Sequence, residues 1–415
     1  MENKRIYFDH AATTAVRPEV LSAILPIFEN VYGNPSSFYN EGYEAHDYIE
    51  QSRDKIAELL NVSPKEIFFT SCGTESDNWA IKGTAFSKHK KGKHLITSTI
   101  EHHAVLHSMQ ALEKLGYEVT YLDVDGYGFV DPQDVEKAIR PDTILVSIMM
   151  ANNEIGTIQP IAEIAEICHA KGVLFHTDAV QALGAIPVSP HDLGADMMAF
   201  SGHKFYAPKG IGLMYIKQGV RIANFMDGGA QERRKRAGTE NTPYIAGIAK
   251  ALELALADMP EESKRQIALR DDLINQIRSN IPYTKLNGHP SKRLPNNINL
   301  AFEFIEGESI LLFLNQLGYQ ASSGSACTSG SLDPSHVLLA IGLSHEVAHG
   351  SLRLSLGREN TKDDIDRIAK DLPGIIERLR LMSPLYADFK SGKIKNIIPE
   401  EGTDILKGAL KYEIQ

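Results

Sequence analysis

The chain has 415 residues, long enough for two or three domains and a large buried core. A hydrophobic share of 43%, a charged share of 23% and a net charge of -10 fit a globular protein and exclude a nucleic-acid or anionic-membrane surface as the main partner. No stretch reaches the roughly 18 apolar residues of a membrane span, and the start MENKRIYFDHAATT has no apolar segment of leader length, so a cytoplasmic protein is expected.

From about residue 40 to 255, short apolar runs alternate with helical patterns. Strands are predicted at 67–70, 94–98, 118–122, 144–150, 173–177, 197–200 and 212–216, with amphipathic helices at 47–60, 75–86, 104–115 and 161–170. This alternation predicts an α/β domain on a mainly parallel, buried, seven-stranded sheet, whose ligands gather at the carboxyl ends of its strands. After about residue 258 the pattern changes to a charged helix at 260–279, short strands at 298–302 and 352–356, and helices at 309–317 and 361–382, which predicts a smaller α+β domain. The expected divisions are an N-terminal segment 1–15, a large domain 16–257, a small domain 258–385 and a partly ordered, charged tail 386–415.

Polar signatures fall where the predicted strands end. Strand 67–70 runs into Ser71-Cys72-Gly73-Thr74, a helix start whose free backbone N–H groups and glycine suit a phosphate, although a plain N-cap at Thr74 gives the same pattern. Strand 173–177 stops at Asp178, with Gln181 beyond it, and strand 197–200 stops at Ser201-Gly202-His203-Lys204. A carboxylate, an amide, hydroxyl and imidazole donors and a lysine, all at strand ends, suit pyridoxal phosphate. That cofactor needs a lysine to form a Schiff base, an acid to keep its ring nitrogen protonated, and donors for its phosphate.

Three cysteines are too few and too scattered for a disulfide framework or a structural zinc site. Cys72 reads as a small packing residue and Cys168, at helical spacing, as a buried thiol, whereas Cys327 lies in the Gly- and Ser-rich loop 322–334, where a thiol is free to travel. Arg353, in the strand-like SLRLSL, suits either a structural ion pair or the two-pronged binding of an amino-acid carboxylate. His345-Glu346-Val347-Ala348-His349 matches the HExxH zinc-hydrolase pattern, but Gly350 and a strand follow at once, so the helix that motif needs is cut short and no metal site is expected. The pair His103 and His107, and the turn Asp123-Val124-Asp125-Gly126, likewise lack the further ligands a metal requires.

Several of these stretches resemble one family. HxDAxQ followed by SxHK (His176, Asp178, Ala179, Gln181, Ser201, His203, Lys204) resembles the class V aminotransferase group of fold-type I pyridoxal phosphate enzymes. YFDHAATT at 7–14, GNPSS at 33–37, NNEIG at 152–156 and SSGSACTSG at 322–330 resemble the NifS/IscS-type cysteine desulfurases, over roughly residues 5 to 385. The segment 228–241 is similar to that group's GGGxExGxRSGTxN, with Arg234 in place of a glycine.

The resemblance implies a cysteine desulfurase that converts L-cysteine to L-alanine and leaves the sulfur as a persulfide on Cys327. Lys204 and His102 are the implied proton-moving groups. Gly73, Thr74, His102, Asn153, Asp178, Gln181, Ser201, His203, Lys204 and Thr239 are the implied cofactor residues, and Asn34, Asn153 and Arg353 the implied substrate residues. Thr239 implies a homodimer with composite sites, and the sulfur implies an acceptor protein such as an iron-sulfur scaffold or a tRNA-thiolation enzyme. Selenocysteine lyase and a class V aminotransferase are the related alternatives; the aminotransferase has no need of Cys327.

Overall fold

The computed structural model describes residues 5–323 and 334–398. The chain opens with β1 (Ile6–Tyr7), then α1 (Pro18–Asn30) and α2 (Asn40–Leu60). It then builds β2 (Ile67–Thr70), β3 (His94–Ser98), β4 (Glu118–Leu122), β5 (Thr143–Ser147), β6 (Leu174–Asp178), β7 (Met197–Ser201) and β8 (Gly212–Ile216) into one sheet of spatial order β2-β8-β7-β6-β5-β3-β4. The pairs from β7 through β6, β5 and β3 to β4 are parallel, and β8 runs antiparallel to both of its neighbours. Every residue of β3, β5, β7 and β8 is buried, because helices cover both faces and leave no polar side for the strands to show. These helices include α3 (Gly73–Lys88), α4 (His103–Glu113), α5 (Pro132–Ala138) and α6 (Ile161–Ala170).

After a short turn, α7 (Gln231–Arg234), the long helix α8 (Thr242–Asn280) joins two cores. Its first half buries Ile245, Ile248 and Leu252 with Phe175 and Phe200 of the large sheet. Its second half buries Leu273, Ile274 and Ile277 against a separate core. That second core is built on β9 (Thr284–Leu286), β10 (Asn297–Phe302) and β12 (Ser351–Ser355), an antiparallel sheet, with α9 (Gly307–Gln316) and α12 (Lys362–Met382) packed over it. The helix predicted to start at Pro260 therefore starts 18 residues earlier, where Asn241 accepts a hydrogen bond from Tyr244 N. Proline usually stops a helix, but here apolar burial on both sides of Pro260 holds the helix through it.

The N-terminal segment packs with the smaller core. β1 pairs in parallel with β11 (Tyr319–Gln320), and Ile6 and Phe8 are buried beside Leu300 and Leu352. At the other end α13 (Pro384–Lys390) stacks Phe389 on Phe304, and the chain is tied down as far as Ile398 by Glu303, which accepts from Ile397 N and Ile398 N. Between these come α10 (His336–Ala340) and α11 (His345–His349), which bury Val337, Leu338, Val347 and Ala348 with Ile100 and Met149. No helix among the described residues is long and apolar enough to cross a membrane.

Candidate active site

Parallel strands end on one edge of the sheet, so residues far apart in sequence converge there. At the end of β2 the chain turns through Cys72 into α3 without any side-chain cap, which leaves the first N–H groups of a 16-residue helix open at Gly73 and Thr74. A side chain at Gly73 would press its Cβ to 2.6 Å from Val180 Cγ2 and 3.4 Å from Ser201 Cβ, so the glycine keeps a small space clear next to Ser201. The Ser201 hydroxyl is buried with no hydrogen-bond partner among the described residues. Open helix N–H groups, a glycine-lined gap and an unused buried hydroxyl are the donor set an anionic phosphate requires, and they fit that group.

Lys204 follows Ser201 by one turn, and its ammonium donates to Ala11 O at 2.6 Å and Ala12 O at 2.8 Å. The N-terminal segment is laid along this turn by Thr14 N to His203 O, Arg17 N to Tyr206 O, and Tyr206 N to the Thr14 hydroxyl. Gln181 Nε2 donates to the same Ala11 carbonyl, and His203 Nδ1 pairs with the Thr13 hydroxyl at 3.1 Å. The cationic Lys204 acts on three neighbours. Burial, reinforced by the Lys204 charge, pushes His102 and His203 down to about 4, so both rings are neutral at pH 7. Burial raises Asp178 to about 6, against the pull of Val180 N and of Lys204.

His102 caps α4, its Nδ1 accepting from Ala104 N, so a neutral ring carries its proton on Nε2. Behind Asp178 lie two more buried acids that sequence reading passed over. Burial, with the Asp178 charge next, holds Asp77 well above the usual carboxylate range, and burial pushes Glu101 up to about 8 although Ser98 and Met149 N hydrogen-bond to it. At pH 7 Glu101 is therefore neutral, while Asp178 is mostly ionised.

The smaller core brings Arg353. It is fully buried in β12, its Nη2 reaching Asp9 Oδ1 at 2.9 Å and its Nη1 reaching Asn153 O at 3.2 Å. Its Nε is buried without a partner among the described residues, a donor left over for a ligand carboxylate. Asp9 belongs to the YFDHAATT segment, and nothing in the sequence links it to a residue 344 positions away. Asn152 shapes the turn at Asn153, its Oδ1 accepting from Glu154 N and Ile155 N.

The structure thus gathers Gly73, Ser201, His102, Asp178, Gln181, His203 and Lys204 at the sheet edge, and Asn153 with Arg353 at the junction of the two cores. A cavity of about 440 Å³ shares Gln181 and Lys204 with this set and runs on toward Arg265 and Leu356. Asn34 and Thr239 are exposed; Asn34 Oδ1 accepts from Ser36 N within its own turn. Cys327 lies outside the described residues. Cys168 is buried in α6, its thiol pushed up to about 12 by burial. The HEVAH motif forms α11, only five residues long, with Val347 and Ala348 turned into the core. Among the described residues, no three His, Cys, Asp or Glu side chains are placed to hold a metal ion, the close rings of His103, His107 and His336 included.

The family pattern "Aminotransferase class-V" matches residues 6–368. The chain belongs to that family. Among its relatives within the class-V family is the cysteine desulfurase IscS of Methanosarcina thermophila, 56% identical over 92% of this chain and 95% of the relative. The cysteine desulfurase IscS of Clostridium botulinum strain Hall is 54% identical over 94% and 99%. A solved NifS-like protein superposes with a TM-score of 0.85 at 40% identity, covering 90% of this chain and all of that one. A solved SspA in complex with cysteine superposes with a TM-score of 0.75 at 38% identity, covering 84% and 98%. Within the class-V family the chain is of the NifS/IscS cysteine desulfurase type.

Proposed function

We propose that this chain converts L-cysteine to L-alanine with pyridoxal phosphate at Lys204 and delivers the sulfur to Cys327. The observation that carries the reading is the convergence of Lys204, the charge-bearing Asp178 and the open Gly73–Ser201 cradle on one sheet edge. When bound, pyridoxal phosphate supplies an electron-withdrawing ring that weakens the bonds at the α-carbon of an attached amino acid. Gly73, Thr74, Ser201 and His203 would hold its phosphate, Gln181 would meet its phenolic oxygen, and Asp178 would keep its ring nitrogen cationic. Neutral His102, next to Lys204, would be a neighbour of the ring.

Arg353 takes the substrate carboxylate through its unused Nε, with Asn153 beside it. Lys204, as the neutral amine, would remove the α-proton and return it. His102 exchanges a proton with the sulfur atoms. The Cys327 thiolate attacks the substrate sulfur; the new S–S bond forms as the C–S bond breaks, its electron pair staying with carbon. Protonation of that carbon gives alanine, and the persulfide passes to an acceptor protein.

A homodimer fits the exposed apolar side chains of Leu21, Leu25, Phe28, Tyr32 and Phe38, and a partner subunit is then what Thr239 serves. The test is release of alanine and sulfide from L-cysteine with a reductant present. The native protein is expected to release the two in equal amounts, and Cys327→Ala to release neither while retaining the visible absorbance of the cofactor. Full activity in Cys327→Ala removes that residue from the reaction, and a cofactor-loaded native protein that ignores L-cysteine overturns the whole reading.

A further inference from the structure

Glu154 sits where three parts of the molecule meet. Its backbone carbonyl accepts from Asn297 Nδ2 and from Asn299 Nδ2, both on β10 of the smaller core and both at 3.1 Å. The residue before it, Asn153, gives its carbonyl to Arg353. The Glu154 carboxyl turns the other way and accepts from the Ser335 hydroxyl at 2.5 Å, in a buried contact between residues 181 positions apart. Ser335 also caps α10, accepting from Leu338 N. On the far side of the same segment, Ser322 exchanges backbone hydrogen bonds with Arg353 in both directions, at 2.7 and 3.2 Å.

We infer that the Glu154 side chain is a positioning residue for the sulfur-transfer step: through Ser335 it fixes the point where the chain returns from Cys327 to the turn that holds Arg353. The inference rests on the reading of Cys327 as sulfur acceptor. A buried carboxyl is costly, and burial pushes this one up to about 7 against Ser335 and Arg353, so ordinary packing would be better served by an apolar residue. Loss of the side chain leaves the backbone contacts to Asn297 and Asn299 in place, which separates positioning from folding.

The experiment compares Glu154→Ala, Glu154→Gln, Ser335→Ala and the double variant Glu154→Ala/Ser335→Ala, each loaded with cofactor. Two readouts are taken: the kcat and KM for alanine release from L-cysteine, and the rate at which iodoacetamide alkylates Cys327. Each alanine variant is expected to lower kcat by about tenfold with KM changed less than about twofold, and to change the alkylation rate by about threefold or more. Glu154→Gln, which still accepts from the hydroxyl, is expected to keep more than about half of kcat. The double variant should be no worse than the worse single one, since both remove the same contact. Unchanged kcat and alkylation in Ser335→Ala, or losses that add up in the double variant, overturn the inference. Should the native protein fail to release alanine, the functional reading falls, while the alkylation rates still decide whether Glu154 and Ser335 position Cys327.

Discussion

The Lys204 end of the sheet and the junction at Asn153 are built in opposite ways. At the sheet edge several polar side chains are held by backbone: Lys204 by Ala11 and Ala12 carbonyls, Asp178 by Val180 N, His102 by Ala104 N. Asp178 and His102 take their partners from the chain just beyond their own strands, and Lys204 and Gln181 from the N-terminal segment laid along the sheet edge, so this region is a platform made of the large sheet and that segment. At the junction, Arg353 joins Asp9 and Asn153, and Glu154 joins β10 and Ser335, so each contact depends on how the smaller core sits on the larger. The platform suits a cofactor that must be held rigidly, and the junction suits a substrate that enters and leaves. Damage to the platform should therefore appear as lost stability, and damage to the junction as altered substrate handling.

The largest expected effect is on the platform's support. Arg53 and Glu232 form a buried two-pronged pair at 2.8 and 3.0 Å, and the same carboxylate accepts from Phe69 N on β2. Arg53→Ala leaves Glu232 charged and buried without its partner, which costs about 3–5 kcal/mol. Urea unfolding should show that loss; a change below about 1 kcal/mol means the pair does not support the sheet.

At the junction, Arg353→Lys should act on substrate binding. Lysine keeps a charge but cannot serve Asp9, Asn153 and a substrate carboxylate together. The KM for L-cysteine is expected to rise about ten- to a hundredfold, with the urea midpoint shifted far less than in Arg53→Ala. An unchanged KM would take the substrate carboxylate away from Arg353.

A pH dependence sharpens the contrast from the platform side. Because the Asp178 carboxyl in the folded protein is pushed up to about 6, it is protonated below that pH and has no charge to pair with a cationic ring nitrogen. Pyridoxal phosphate affinity of the apo protein should therefore hold steady above pH 7 and fall by about tenfold for each pH unit below 6. Titration of the apo protein at pH 5, 6 and 7.5 checks the sign, and affinity that rises on acidification contradicts it.

The two regions were unequally legible in the sequence. The strands of the large sheet were readable because burial on both faces leaves short, wholly apolar runs such as Met197 to Phe200, and because each run stops at polar residues. Lys204, Asp178 and Gly73 were found at those stops. Periodicity says that a residue is buried but never which element covers it, so the pairing of β1 with β11, the Asp9–Arg353 pair and the Glu154–Ser335 contact left no local trace. Asp77 and Glu101 escaped for a related reason: an acid in a helix or turn reads as surface, and only the packing of α3 and β3 puts them inside.

The smallest expected effect concerns the turn beside the open end of α3, where local sequence and backbone disagree. Glu232, Arg233 and Arg234 take φ values of 45°, 56° and 66°, three consecutive side-chain-bearing residues in the left-handed region. The similar segment of the NifS/IscS group has glycine where this chain has Arg234. Glycine accepts that conformation without strain, whereas arginine does so at a cost of about 1 kcal/mol. The turn survives because its neighbours are fastened: Glu232 to Arg53, Arg233 to the Ile67 carbonyl, and Arg236 to Glu75 beside the open end of α3. Arg234 itself is exposed, and the bond from its N–H to Ala230 O survives substitution. Arg234→Gly should therefore raise stability by about 0.5–1 kcal/mol, the relief of strain exceeding the added freedom of the unfolded chain. A higher urea midpoint with unchanged cofactor affinity would locate the strain in the turn alone. A lower midpoint would mean that the arginine side chain, and not the fastened neighbours, holds the left-handed path.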